Sequence, residues 1–111
     1  MDKKVVIITG ASSGIGLACA REFSRHGFKV VLAARSIEKL QVIKEEMLSF
    51  NSDILAIRVD VSIEEDCKLL INETIKHFGS IDILIGNLNT SVTSYKKHVC
   101  VIVSYSRFST W

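Results

Sequence analysis

Three glycines and two serines crowd one short stretch of the chain, Thr9-Gly10-Ala11-Ser12-Ser13-Gly14-Ile15-Gly16. Their spacing is G-x-x-x-G-x-G. Residues of this kind act through their backbone. Glycine lets the chain turn sharply and lets main-chain N–H groups come close to an anion. A helix opening inside such a loop adds unpaired N–H groups and the positive end of its dipole. The stretch is therefore a candidate phosphate cradle, with Gly10, Ser12, Ser13, Gly14, Ile15 and Gly16 around the phosphates. The plain alternative is a strand-to-helix turn with a hydroxyl cap. Arg35 is a second candidate, because a guanidinium holds a phosphate through paired, charge-assisted hydrogen bonds. It could equally cover a sheet edge with its aliphatic stem. Asp60 is a third, with the plain alternative of an acidic residue in a turn before Ser62. The three cysteines, Cys19, Cys67 and Cys100, are odd in number and widely spaced. They suggest neither a disulfide framework nor a zinc site, and no metal is expected. Cys19 and Cys67 read as reduced core thiols.

The elements around these residues alternate. Lys4 to Thr9 is a continuous apolar run rich in β-branched residues, as expected of a strand buried on both faces. Gly14 to His26 reads as a helix with Ile15, Ala18, Cys19 and Phe23 on one face, and Gly27 as its stop. Lys29 to Ala34 is a second buried strand. Ser36 to Phe50 is a second helix, with Leu40, Ile43 and Met47 on its apolar stripe. Ile54 to Val59 is a third strand. Ser62 and Glu65 are spaced as a capping box that opens a third helix. Cys67, Leu70, Ile71, Ile75 and Phe78 form that helix's apolar face, and Gly79 ends it. Ile81 to Ile85 is a fourth strand. Strand and helix alternating in this way predict an α/β fold: a doubly wound, Rossmann-like parallel sheet, here its N-terminal half (βαβαβαβ), with helices on both faces. The cradle then lies between first strand and first helix, the context a phosphate loop requires.

Residues 1–86 are expected to form this partial nucleotide-binding domain, and residues 87–111 a divergent tail. The tail is rich in Ser, Thr and Asn, with one apolar run at Val99 to Val103. A parallel crossover needs a dozen or more residues, usually helical. An antiparallel edge strand or a disordered tail is therefore expected there, rather than a parallel fifth strand.

Composition narrows the rest. At 111 residues and 48% hydrophobic, the chain fits one small globular domain. A net charge of +2 and a single Lys96-Lys97 pair give no basis for nucleic-acid binding. Val5 to Ile8 is too short for a signal-peptide core or a membrane span, so a cytoplasmic location is expected and no membrane partner. A phosphoacceptor receiver domain would need an acidic pair after its first strand, and Thr9-Gly10 stands there instead.

The glycine loop TGASSGIG resembles the cofactor loop of the short-chain dehydrogenase/reductase family without a mismatch. The likeness continues, in order, through Leu32-Ala33-Ala34-Arg35-Ser36, Val59-Asp60-Val61 and Gly79-Ser80-Ile81-Asp82-Ile83-Leu84-Ile85. It covers residues 1 to about 87. The resemblance implies hydride transfer between a nicotinamide cofactor and a carbonyl or alcohol. It implies that Asp60 accepts from the adenine amino group while the Val61 N–H donates to the ring. It matches Ala34 to the position where an NAD-selecting enzyme carries an acid that binds both ribose hydroxyls. With Arg35 directly after, NADP(H) is expected in preference to NAD(H).

The likeness then breaks. Where the family has Asn-Asn-Ala-Gly, this chain has Gly86-Asn87-Leu88-Asn89, and only Asn87 matches as a cofactor-side residue. The family's catalytic serine and Tyr-x-x-x-Lys have no counterpart. Tyr95 is followed four places on by Val99, and Tyr105 by Ser109. No catalytic residue is therefore assigned. The expectation is an oxidoreductase by family whose chain stops before the catalytic centre, through a frameshift, exon junction or truncation. The alternatives are a non-catalytic NADP(H)-binding module and a nonfunctional fragment. A homo-oligomer is an expectation for the full-length family member only.

Overall fold

Val5, Val6, Ile7 and Ile8 are all at most 1% exposed, and their side chains point alternately to the two sides of the sheet. The computed structural model describes residues 3–86 and the strand Cys100–Ile102. The elements run β1 (Val5–Thr9), α1 (Gly14–Arg25), β2 (Lys29–Ala34), α2 (Ile37–Met47), β3 (Ile54–Arg58), α3 (Glu64–Phe78), β4 (Ile83–Ile85) and β5 (Cys100–Ile102). The sheet is parallel throughout, in the order β3-β2-β1-β4-β5.

Period-two alternation along β1 and β2 divides the core. Val5 and Ile7 with Val31 and Ala33 meet Cys67, Leu70 and Ile71 of α3 on one face. Val6 and Ile8 with Val30 and Leu32 meet Ala20 of α1 and Leu40, Ile43 and Met47 of α2 on the other. The chain is therefore the expected Rossmann-like layering, one helix on one side and two on the other. The predicted stripes of α2 and α3 are the buried ones.

Three expectations are corrected. The first concerns α1, whose buried residues are Gly16, Ala20 and Ser24. Ile15 is 52% exposed, Ala18 is exposed and Cys19 is half-buried. Residues four apart lie on one helical face, and here that face is made of small side chains, so the helix backbone sits close to the sheet. A reading weighted by hydrophobicity selects the wrong face.

The second correction concerns the start of α3. The capping box of Ser62 and Glu65 does not form: the helix begins at Glu64, and its N-cap residue, Ile63, supplies no side-chain hydrogen bond. The Ser62 hydroxyl donates instead to Asp60 Oδ1 at 2.6 Å. A nearby carboxylate is a stronger acceptor than helix geometry offers the serine, and it turns the hydroxyl away from capping.

The third concerns β5. It lies at the sheet edge and pairs parallel with β4, Ile83 opposite Cys100 and Ile85 opposite Ile102, not antiparallel. Residues 86–99 separate the two strands, which meets the length a parallel connection requires. Among the described residues, no helix is long and apolar enough to cross a membrane.

Two polar devices tie the helices into place. Buried Asn51 donates through Nδ2 to the carbonyls of Ser24 (3.0 Å) and Phe28 (2.7 Å), and accepts from Asp53 N–H (2.8 Å). This fixes the entry to β3 against the end of α1. The Arg21 guanidinium grips Glu46 with both its Nε (2.9 Å) and a terminal nitrogen (3.1 Å), linking α1 to α2. The pair is exposed, so its contribution to stability is small.

Candidate functional site

The parallel register brings the carboxyl ends of β1, β2 and β3 to one edge of the molecule. Thr9 lies opposite Ala33, and Ala34 opposite Arg58. The segments that follow are stitched to the neighbouring strand: Ala11 N–H donates to the Ala33 carbonyl (3.2 Å), and Val59 N–H to the Ala34 carbonyl (2.8 Å). Three segments distant in sequence therefore converge, and a cleft of about 540 Å³ opens between them. Gly10 and Ser12 line it from the first segment. Arg35, Ser36 and Lys39 line it from the second, and Asp60, Val61 and Ser62 from the third. Open α/β sheets bind ligands in this kind of crevice, outside the carboxyl ends of the strands. The volume lies within the roughly 300–1,000 Å³ of ordinary ligand sites.

Two glycines of the loop have different structural tasks. Gly14 has φ +59°, a conformation costly for any other residue, and a β-carbon there would meet nothing within 4 Å. It faces open space at the start of α1. Gly16 faces inward. A β-carbon there would overlap the Gly10 carbonyl oxygen and stand 2.8 Å from its carbon. Only glycine lets α1 lie this close to the loop after β1. Ser13 is the extended N-cap residue of α1, and its side chain makes no cap hydrogen bond.

Asp60 is held by several bonds. Its N–H donates to Asp66 Oδ2 (3.0 Å), and its Oδ1 accepts from both the N–H (3.0 Å) and the hydroxyl of Ser62. These Ser62 bonds, and beyond them the charges of Arg35 and Arg58, hold its carboxyl below the usual range. A depressed value favours the ionised form, so Asp60 stays a carboxylate acceptor at neutral and mildly acidic pH. The stability this adds is present above the ordinary carboxylate range and is lost only as pH falls through the lowered value. Among the described residues Oδ2 makes no hydrogen bond, which leaves it available to a ligand. Val61 is anchored from behind, its carbonyl accepting from the Cys67 thiol at 3.3 Å.

Of the residues singled out in the sequence, Gly10, Ser12, Arg35, Asp60 and Val61 line the one cleft. Ser13, Gly14, Ile15 and Gly16 belong to the adjoining loop and first turn of α1. Asn87, Tyr95 and Tyr105 lie outside the described residues. At position 86, where the family pattern has asparagine, a β-carbon would overlap the Thr9 hydroxyl oxygen, so this chain's glycine suits its own packing. Lys39 was missed. Its signal is its place four residues after Arg35 and three after Ser36, whose hydroxyl accepts from the Lys39 N–H (3.4 Å).

Residues 4–100 match the family described as short chain dehydrogenase. The chain is 47% identical over 91 residues to 11-beta-hydroxysteroid dehydrogenase-like 2 of Arabidopsis thaliana, a match that covers 81% of this chain and 30% of that protein. Among solved structures it resembles the alcohol dehydrogenase of Thermococcus sibiricus complexed with 5-hydroxy-NADP. The TM-score is 0.72 and the identity 34%, over 76% of this chain and 36% of that one. It also resembles L-sorbose reductase of Gluconobacter frateurii complexed with NADPH and L-sorbose, with TM-score 0.73 and 35% identity, over 81% of this chain and 35% of that one. The chain thus spans about a third of the length of these proteins.

Proposed function

The chain belongs to the short chain dehydrogenase family, and from that premise we propose that it is the NADP(H)-binding portion of an oxidoreductase acting on carbonyl or alcohol groups. The observation that carries this reading is the convergence of Gly10, Ser12, Arg35, Asp60 and Val61 on one cleft at the carboxyl end of the sheet. In this reading the loop from Gly10 to Gly16 holds the pyrophosphate through backbone N–H groups. Asp60 accepts from the adenine amino group, and the Val61 N–H donates to the ring. Asn87 supports the ribose side. When bound, the nicotinamide supplies or accepts the hydride. The chain's own residues bind and orient the cofactor.

NADP(H) preference rests on Arg35. Its side chain is exposed beside the cleft and makes no salt bridge among the described residues. Alanine stands where an NAD-selecting carboxylate would, so nothing there repels a 2′-phosphate. One Arg–phosphate contact contributes about 1.5–3 kcal/mol, or roughly ten- to a hundredfold in affinity. Calorimetric titration is expected to find NADPH bound that much tighter than NADH, and Arg35→Ala to remove most of the difference. Equal wild-type affinities would overturn the cofactor assignment. A variant that loses both affinities equally would make Arg35 structural.

A second reading, a cofactor-binding module without turnover of its own, is favoured by one sequence fact. Neither tyrosine after residue 86 is followed by the lysine four places on, Val99 and Ser109 standing there instead. Measuring NADPH oxidation with a panel of carbonyl compounds separates the two. Binding without turnover supports the module.

A further inference from the structure

Arg35 is not the only cation at the second segment of the cleft. Lys39 lines the same cavity from the first turn of α2. It is exposed and, like Arg35, makes no salt bridge among the described residues. Lysines on exposed helices commonly pair three or four residues away, as Lys68 does with Glu64 at 3.2 Å. Residues 35, 42 and 43, at those spacings from Lys39, are Arg, Val and Ile, and the fourth, Ser36, is uncharged. Its own element therefore offers Lys39 no carboxylate partner at these spacings. The charged groups lining the cavity are Arg35, Lys39 and the Asp60 carboxylate. Asp60 already draws charge from Arg35 and Arg58, and its Oδ1 is occupied by Ser62.

We infer that Lys39 is a second specificity-determining residue, which with Arg35 forms a two-cation clamp for the phosphate on the adenosine ribose. This rests on the NADP(H) reading above. Two cations left unneutralised at one cavity edge would repel each other, and a doubly charged phosphomonoester relieves that repulsion while a ribose hydroxyl does not. The two act differently: guanidinium fixes the phosphate in a plane, and ammonium adds charge with little directional demand. Lys39→Arg should therefore keep the effect, and Lys39→Ala should not.

The test titrates NADPH, NADH, adenosine 2′,5′-bisphosphate and adenosine 5′-monophosphate into the full chain, for wild type, Lys39→Ala, Lys39→Arg and Arg35→Ala. Lys39→Ala is expected to weaken NADPH and the bisphosphate about five- to twentyfold. NADH and the monophosphate should change less than twofold, and Lys39→Arg should stay near wild type. Unchanged NADPH affinity in Lys39→Ala, with Arg35→Ala still losing it, would overturn the clamp and leave the NADP(H) reading intact. Equal loss of all four ligands would overturn it too, making Lys39 a general electrostatic contributor. A wild type that binds the 2′-phosphorylated ligands no better than the others would overturn the NADP(H) reading, and the clamp with it.

Discussion

Replacing Gly16 with valine is expected to destabilise the fold itself. The β-carbon would overlap the Gly10 carbonyl oxygen, and the atoms it meets are backbone, Gly10 and Thr9, which cannot swing aside as a side-chain tip can. Relief requires α1 to lift from the sheet. That would open the contact made by Ala20 and Ser24, both at most 1% exposed. Overpacking a close contact typically costs about 1–3 kcal/mol, and more when backbone must move. A domain of this size has only about 5–15 kcal/mol to lose. Urea titration should show the midpoint falling by a molar or more, or no cooperative transition at all. An unchanged midpoint would mean that α1 does not pack on the loop as described.

Gly14→Val should behave in the opposite way, with binding lost and most of the fold kept. The backbone conformation at Gly14 costs a side-chain-bearing residue about 1–2 kcal/mol, but no atom stands within 4 Å to be struck. The new isopropyl group instead occupies the space in front of the N-terminus of α1, where the proposed pyrophosphate lies. NADPH affinity is expected to fall by a hundredfold or more, with the midpoint in urea shifted only modestly. Retained affinity would remove the phosphates from this loop. The two substitutions, two residues apart, separate the loop's structural task from its ligand task.

Much of this architecture was legible in the chain, and the reasons differ by element. The β-branched runs at Val5–Thr9 and Lys29–Ala34 announce strands buried on both sides, because no polar residue interrupts either interior. The stripe Leu40, Ile43 and Met47 announces α2, because its spacing is helical and its alternates are charged. The buried face of α1 was hidden because glycine, alanine and serine carry no hydrophobic signal of their own. Their burial follows from how close the helix comes to the loop after β1. Ser62 misled because its spacing to Glu65 fits a cap, while the competing acceptor, Asp60, is visible only as a contact. The sequence spacing before β5 left the direction of that strand undecided, since the connection is near the minimum for a parallel crossing. At the candidate site, the glycines, Arg35, Asp60 and Val61 were readable from residue type and position. Lys39 was not, because a lysine on an exposed helical face looks like any solvated charge until the cavity beside it is seen.

The central claim is that one cleft, at the carboxyl ends of β1, β2 and β3, receives the adenosine-phosphate half of NADP(H). Nitrogen–proton correlation NMR of the full chain during NADPH titration tests it most directly. The account predicts that the amides of Gly10, Ser12, Gly14, Arg35, Asp60 and Val61 shift together along one binding curve, while those of the opposite sheet end, such as Lys29 and Ile54, stay in place. Shifts confined to residues away from these three segments, or a spectrum that NADPH leaves unchanged, would contradict it.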